Sequence, residues 1–176
     1  MIFTPFRWTM RKLYAFISYN RKVIIPAPAG PAHTLQPSFK PHYRIAYLVF
    51  SWLITSVVLS AYSKLLTETP TIAGPYREYL IGAAQIIFQG IIIGVIAPAK
   101  RWEYLGNMMT IFLTGSLLLL PILALKTHIT PNIATAYLML IVAFMLFEHI
   151  RRTKLLSLNY TLTITWILYW LLILAP

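Results

Sequence analysis

An all-α, polytopic membrane protein, with five transmembrane helices and an N-terminal amphipathic helix in the membrane interface, is the fold class this sequence predicts. Three observations predict it. Five apolar stretches run from Ile45 to Leu66, Tyr79 to Ala97, Tyr104 to Leu125, Asn132 to Phe147 and Leu155 to Ala175. Most approach the ~20 residues that a helix rising ~1.5 Å per residue needs to cross ~30 Å of hydrocarbon. None has the period-2 alternation of a barrel strand, and in lipid a helix satisfies its backbone amides within its own segment. Positive charge is the second observation. With the N-terminus in the cytoplasm, the inner side collects Arg7, Arg11, Lys12, Arg21, Lys22, Lys40, Arg44, Lys100, Arg101, Arg151, Arg152 and Lys154, and only Lys64, Arg77 and Lys126 fall outside. Twelve against three is the asymmetry of the positive-inside rule, so a bacterial inner-membrane protein with a cytoplasmic N-terminus and a periplasmic C-terminus is expected. Third, 59% hydrophobic residues against 11% charged leave no soluble domain of useful size beside the first 44 residues.

Residues 1–44 form the cytoplasmic extension and residues 45–176 the five-helix domain. From Phe6 to Lys22 a projection at 100° per residue gathers Arg7, Arg11, Ser18, Arg21 and Lys22 in one arc and Phe6, Met10, Leu13 and Ile17 beside it. Such a helix lies in the cytoplasmic headgroup layer, with Arg7, Arg11, Arg21 and Lys22 on anionic headgroups. The net charge of +11 is therefore read as attraction to the membrane surface and not to nucleic acid. Between Val23 and Tyr43 five of the twelve prolines, Pro26, Pro28, Pro31, Pro37 and Pro41, forbid a continuous helix and favour an extended strap. Phe6, Trp8, Tyr14, Phe16, Tyr19, Phe39 and Tyr43 make the extension more aromatic than a solvated linker.

Inside the spans the polar residues are few and patterned. In the second span Gln85 and Gln89 share a face with Gly82, while Gly90 and Gly94 form a GxxxG a third of a turn away, which reads as two helix-packing faces. The alternative is a pair of amides lining a small-molecule or water-filled site. Glu103, Asn107, Thr110 and Thr114 make one polar stripe along the third span, suited to capping and interhelical hydrogen bonds, and Pro121 is placed to kink its outer part. Glu148 lies three and four residues before Arg151 and Arg152, the spacing of an interfacial ion pair on a helix; the rival is a paired acid site with Glu103. Asn159, Thr163, Trp166 and Trp170 share a face of the fifth span, where Trp166, Tyr169 and Trp170 suit an outer aromatic belt.

The run LYAFISYNRKVIIP, Leu13 to Pro26, resembles the closing segment of the DCC thiol-disulfide oxidoreductase family, an aromatic-rich helix followed by an Asn-Arg pair, here Asn20 and Arg21. HYRIAYLVFSWLITSVVLSAYS, His42 to Ser63, and REYLIGAAQIIFQG, Arg77 to Gly90, resemble membrane extensions attached to some members. The family's activity rests on an Asp-x-x-Cys-x-x-Cys motif, and this chain has neither aspartate nor cysteine. What the resemblance implies is the membrane part of such a protein without its catalytic half, an anchor working with a separate thiol-disulfide protein.

Zero cysteines exclude disulfides, thiol catalysis, iron–sulfur ligation and thiolate zinc sites. His33 and His42 fall in the strap, His128 in an outer loop and His149 at the inner end of the fourth span, so no mid-membrane pair is available for haem. A cluster of His33, His42, His149 and Glu148 can be drawn, yet there is no HExxH, phosphate-binding glycine loop or GxSxG elbow. No catalytic, cofactor or metal residue is assigned. The expected role is a non-enzymatic membrane accessory or scaffold subunit of a larger inner-membrane complex, touching anionic lipid and partner subunits and no nucleic acid. The alternative is a small transporter or membrane-enzyme component with its site on the Gln85, Gln89, Glu103 and Asn107 faces.

Overall fold

A computed structural model describes residues 4–26, 39–66 and 74–174. Six helices follow in order: α1 (Thr4–Ile24), α2 (Pro41–Tyr62), α3 (Arg77–Ile96), α4 (Arg101–Ala124), α5 (Pro131–Leu155) and α6 (Thr161–Leu174). Helices α2 and α5 open on Pro41 and Pro131, where the missing N–H has no intrahelical partner to lose. Four helices, α2 to α5, are long and apolar enough to cross a membrane, and no strand occurs among the described residues. The chain is an all-α polytopic membrane protein.

Side chains that reach across helices fix which ends meet. Lys100 Nζ donates to the Leu156 carbonyl at 2.5 Å, Tyr62 O–H to the Ala134 carbonyl at 2.8 Å, and Tyr169 O–H to the Ile81 carbonyl at 2.7 Å. Successive spans are therefore antiparallel. One end gathers Arg44, Lys100, Arg101, Arg151, Arg152 and Lys154; the other carries Lys64, Arg77 and Lys126. Helix α6 has 14 residues and rises only ~21 Å. Tyr169 nonetheless brings it within about one turn of the start of α3, so it traverses most of the bundle.

Helix α4 is the centre, buried without interruption from Tyr104 to Phe112. Around it the basic half packs Leu48, Ile93, Met108, Phe112, Leu162 and Trp166, and the opposite half packs Tyr62, Leu119, Ile122, Ala134 and Ile141. Gly115 allows α4 and α5 to close on each other, because a Cβ there would collide with Met145. Helix α4 continues through Pro121 to Ala124.

Three boundaries differ from the sequence reading: first, α2 begins at Pro41 and not at Ile45, because a proline in the first turn starts a helix rather than breaking it. Helix α5 runs past Phe147 to Leu155, since Glu148 pairs with Arg151 and Arg152 along the helix and Arg152 turns inward. The last apolar stretch enters its helix at Thr161, after a reversal through Ser157 in the left-handed region at φ 51°. The middle of the proline-rich strap, with Pro28, Pro31, Pro37 and His33, lies outside the described residues.

Helix α1 does more than lie beside the bundle. Phe16 and Tyr19 pack on α2 through Tyr47, Phe50 and Tyr43, and Val23, 0% exposed, is enclosed at α4. The apolar arc of Phe6, Met10, Leu13 and Ile17 stays open, as do Arg7, Arg11, Arg21 and Lys22 on the arc beside it.

Candidate functional site

The last carbonyls of a helix have no intrahelical donor and carry the negative end of its dipole. Those of α1 are met by a cation. Arg152 on α5, 8% exposed, donates Nη1 to the Val23 carbonyl at 2.6 Å and to Asn107 Oδ1 at 3.0 Å. Its Nη2 lies 3.4 Å from the Ile24 carbonyl and its Nε donates to Glu148 Oε1 at 2.7 Å. Glu148 is held from the other side by Arg151, with two contacts of 2.6 Å. One guanidinium thus ties α1, α4 and α5 together. Such charge-assisted bonds are the strong ones.

Thr110 completes the clamp. Its Oγ1 lies 2.9 Å from both the Val23 and Gly106 carbonyls and 2.7 Å from Tyr47 Oη. A hydroxyl has one proton, so Thr110 donates to one carbonyl while Tyr47 donates to it. Asn20 Nδ2 donates to the Tyr43 carbonyl at 3.0 Å. Gly106 is required here because a Cβ would collide with Val23 and Arg44. Arg44 donates to the Trp102 carbonyl at 3.2 Å, beneath Phe39.

A second network joins α3, α4, α5 and α6. Tyr104 O–H donates to Gln89 Oε1 at 2.9 Å, and Gln89 Nε2 donates to Thr165 Oγ1 at 3.3 Å. His149 Nε2 lies 3.2 Å from Tyr104 Oη. With the tyrosine proton on Gln89, the hydrogen-bond pattern assigns the proton to Nε2 and leaves Nδ1 to accept from Thr163 at 3.2 Å. The ring stacks on Trp166, centroids 5.3 Å apart. The side chains of Gln89, Tyr104, His149, Thr163 and Thr165 are thus bonded between helices, which fixes their mutual register.

Gln85 is different. It is 1% exposed and neither amide atom has a hydrogen-bond partner in the protein. It faces a cavity shared with Thr55, Ser56, Gly82 and Trp170, whose indole N–H is also unpartnered. The cavity, about 20 Å3, is large enough for one water, which needs ~10–15 Å3.

The residues singled out by sequence separate into inward and outward sets. Gly82 packs α3 on α2, since a Cβ would stand 3.0 Å from Trp52 Cδ1. Gly90 and Gly94 face away: a Cβ would meet only Leu105, at 3.8 Å, or nothing within 4 Å. Asn107 and Thr110 turn inward, Glu103 is half-buried, and Thr114 is exposed, so the stripe leaves the interior after Thr110. Glu148 is engaged by two arginines, while Glu103 contributes its carbonyl to Asn107 Nδ2 at 2.9 Å. His42 lies on the exposed Tyr43 side and His149 in the interior, so they are not brought together. Among the described residues no three metal-binding side chains converge.

Sequence reasoning missed the inward roles of Asn20, Arg44, Tyr104 and His149. The signals were positional: Asn20 shares a helix face with Phe16 and Val23, and Arg44 shares one with Tyr47, Leu48 and Ser51. Comparison with known protein families, with characterised proteins and with solved structures gives no match.

Proposed function

We propose that the protein is a non-enzymatic accessory or scaffold subunit of an inner-membrane complex, with its basic end in the cytoplasm, five spans and a periplasmic C-terminus. The observation that carries the reading is a rigidly held helix with aromatics turned outward. Trp8, 63% exposed, lies across α1 from the apolar arc, so insertion of that arc into the headgroup layer does not account for it, and Tyr14, 75% exposed, falls within the basic arc. Exposed aromatics on a preorganised element suit an anchor for a partner, because little ordering entropy remains to be lost. The resemblance of Leu13 to Pro26 to the closing segment of a thiol-disulfide protein supports a partner of that class.

The test is purification from native membranes in mild detergent, followed by mass analysis of co-migrating chains. Replacing Trp8 and Tyr14 with serine is expected to remove a stoichiometric partner while leaving the protein in the membrane. Retention of every partner by this variant overturns the reading.

The Gln85 cavity favours one second reading, a membrane-enzyme component or transporter with a polar intramembrane site. It predicts that Gln85→Leu abolishes the activity of an otherwise assembled complex.

A further inference from the structure

A shallow groove of about 530 Å3 opens on the bundle surface between α2, α3 and the start of α4. Gly90 and Gly94 line it together with the buried Leu48 and Leu105, and Arg101 and Trp102, from the first turn of α4, line it at the basic end. The glycines hollow this surface without seating any helix of the chain. Arg101 is exposed, its guanidinium 5.2 Å from the centre of the Trp102 ring, and no carboxylate forms an ion pair with it among the described residues. From Ile86 to Gly94 the groove follows α3 for ~12 Å at ~1.5 Å per residue, close to the ~15 Å depth of one leaflet's hydrocarbon.

We propose that the groove binds an anionic phospholipid, one acyl chain along Gly90 and Gly94 and the phosphate on Arg101. Charge complementarity decides between this occupant and a partner helix. A helix along the same path would have to bring a carboxylate or its own C-terminal carbonyls to Arg101, and no such group lies there among the described residues. A phosphate instead meets that guanidinium in its own fork geometry, and Trp102 stands at headgroup depth, where interfacial tryptophans belong. The inference rests on the proposed contact between the basic end and anionic headgroups, and adds a single structured site to it.

Native mass spectrometry of the full chain, titrated in mild detergent with phosphatidylglycerol or phosphatidylcholine of the same acyl chains, tests it. Wild type is expected to retain one phosphatidylglycerol in preference to phosphatidylcholine. Arg101→Gln lowers that preference about fivefold, the weight of one basic residue at an anionic surface. Gly94→Leu, whose side chain enters the groove, lowers retention of both lipids, and Lys126→Gln, an exposed cation at the opposite end of the bundle, leaves the preference unchanged. Wild-type preference in Arg101→Gln, or wild-type retention in Gly94→Leu, overturns the site. So does a Gly94→Leu variant that keeps its lipid but loses a second protein chain, which identifies a helix as the occupant. An equal drop in Lys126→Gln and Arg101→Gln overturns the structured site while sparing the general attraction to anionic headgroups.

Discussion

Replacing Arg152 with methionine keeps most of the side-chain volume and removes the guanidinium that clamps α1. The bonds lost are those to the Val23 carbonyl at 2.6 Å and Asn107 Oδ1 at 3.0 Å, with the 3.4 Å contact to Ile24 adding little. Bonds from a charged donor contribute ~1.5–3 kcal/mol each. Two circumstances reduce the sum. Thr110 stays within reach of the Val23 carbonyl, and Arg151 still holds Glu148. A net loss of about 3 kcal/mol remains, which at ~1.4 kcal/mol per decade shifts the docked equilibrium of α1 about 10²-fold. Because the chain contains no cysteine, one introduced thiol reports cleanly. Val23→Cys, at a position 0% exposed, is expected to react slowly with an impermeant reagent and about 10²-fold faster when Arg152→Met is added. Arg11→Cys, on the open arc, reacts fast in both backgrounds. Equal rates for Val23→Cys with and without Arg152 refute the clamp.

Further outcomes follow from the two glutamines and from the charge asymmetry. Gln89→Leu removes the acceptor of Tyr104 O–H and the donor to Thr165 and is expected to cost about 1–2 kcal/mol in detergent unfolding. Gln85→Leu removes an amide with no protein partner and is expected to change stability by less than about 1 kcal/mol in the same assay. Larger destabilisation by Gln85→Leu than by Gln89→Leu contradicts the assignment of the two amides. For topology, Ala99→Cys beside Lys100 should be protected from an impermeant thiol reagent in intact cells and Gly74→Cys should be labelled, and the reverse pattern inverts the protein.

The membrane class was legible because its causes are local and additive: runs of apolar residues, a helix's internal hydrogen bonds and the placement of lysine and arginine. The ion pair of Glu148 with Arg151 and Arg152 could be read for the same reason, since i,i+3 and i,i+4 spacing needs no knowledge of any other helix. What Arg152 does with its other nitrogens could not. They reach Val23 and Asn107, whose positions depend on how three helices pack, and sequence spacing says nothing of that. Hydropathy also ended the fourth span at Phe147, because Glu148, His149 and Arg152 are polar; two of the three, His149 and Arg152, are buried in the bundle. Thr114 marks the opposite lesson: a regular spacing continued outward after its face had turned from the core. Gly90 and Gly94 were recognisable as a close-approach motif, but whether helix, lipid or neither approaches is a property of the packed surface.

Scaffold and catalyst separate most directly in one comparison of complex yield and turnover. Three variants are measured beside wild type: Glu103→Gln, Glu148→Gln, and the chain lacking residues 6–43. If the protein acts as a scaffold, the two near-isosteric glutamate replacements leave the turnover of the associated complex largely intact, and removal of the extension lowers the yield of the complex. A complex that assembles normally and loses most of its turnover when either glutamate is neutralised contradicts the scaffold account.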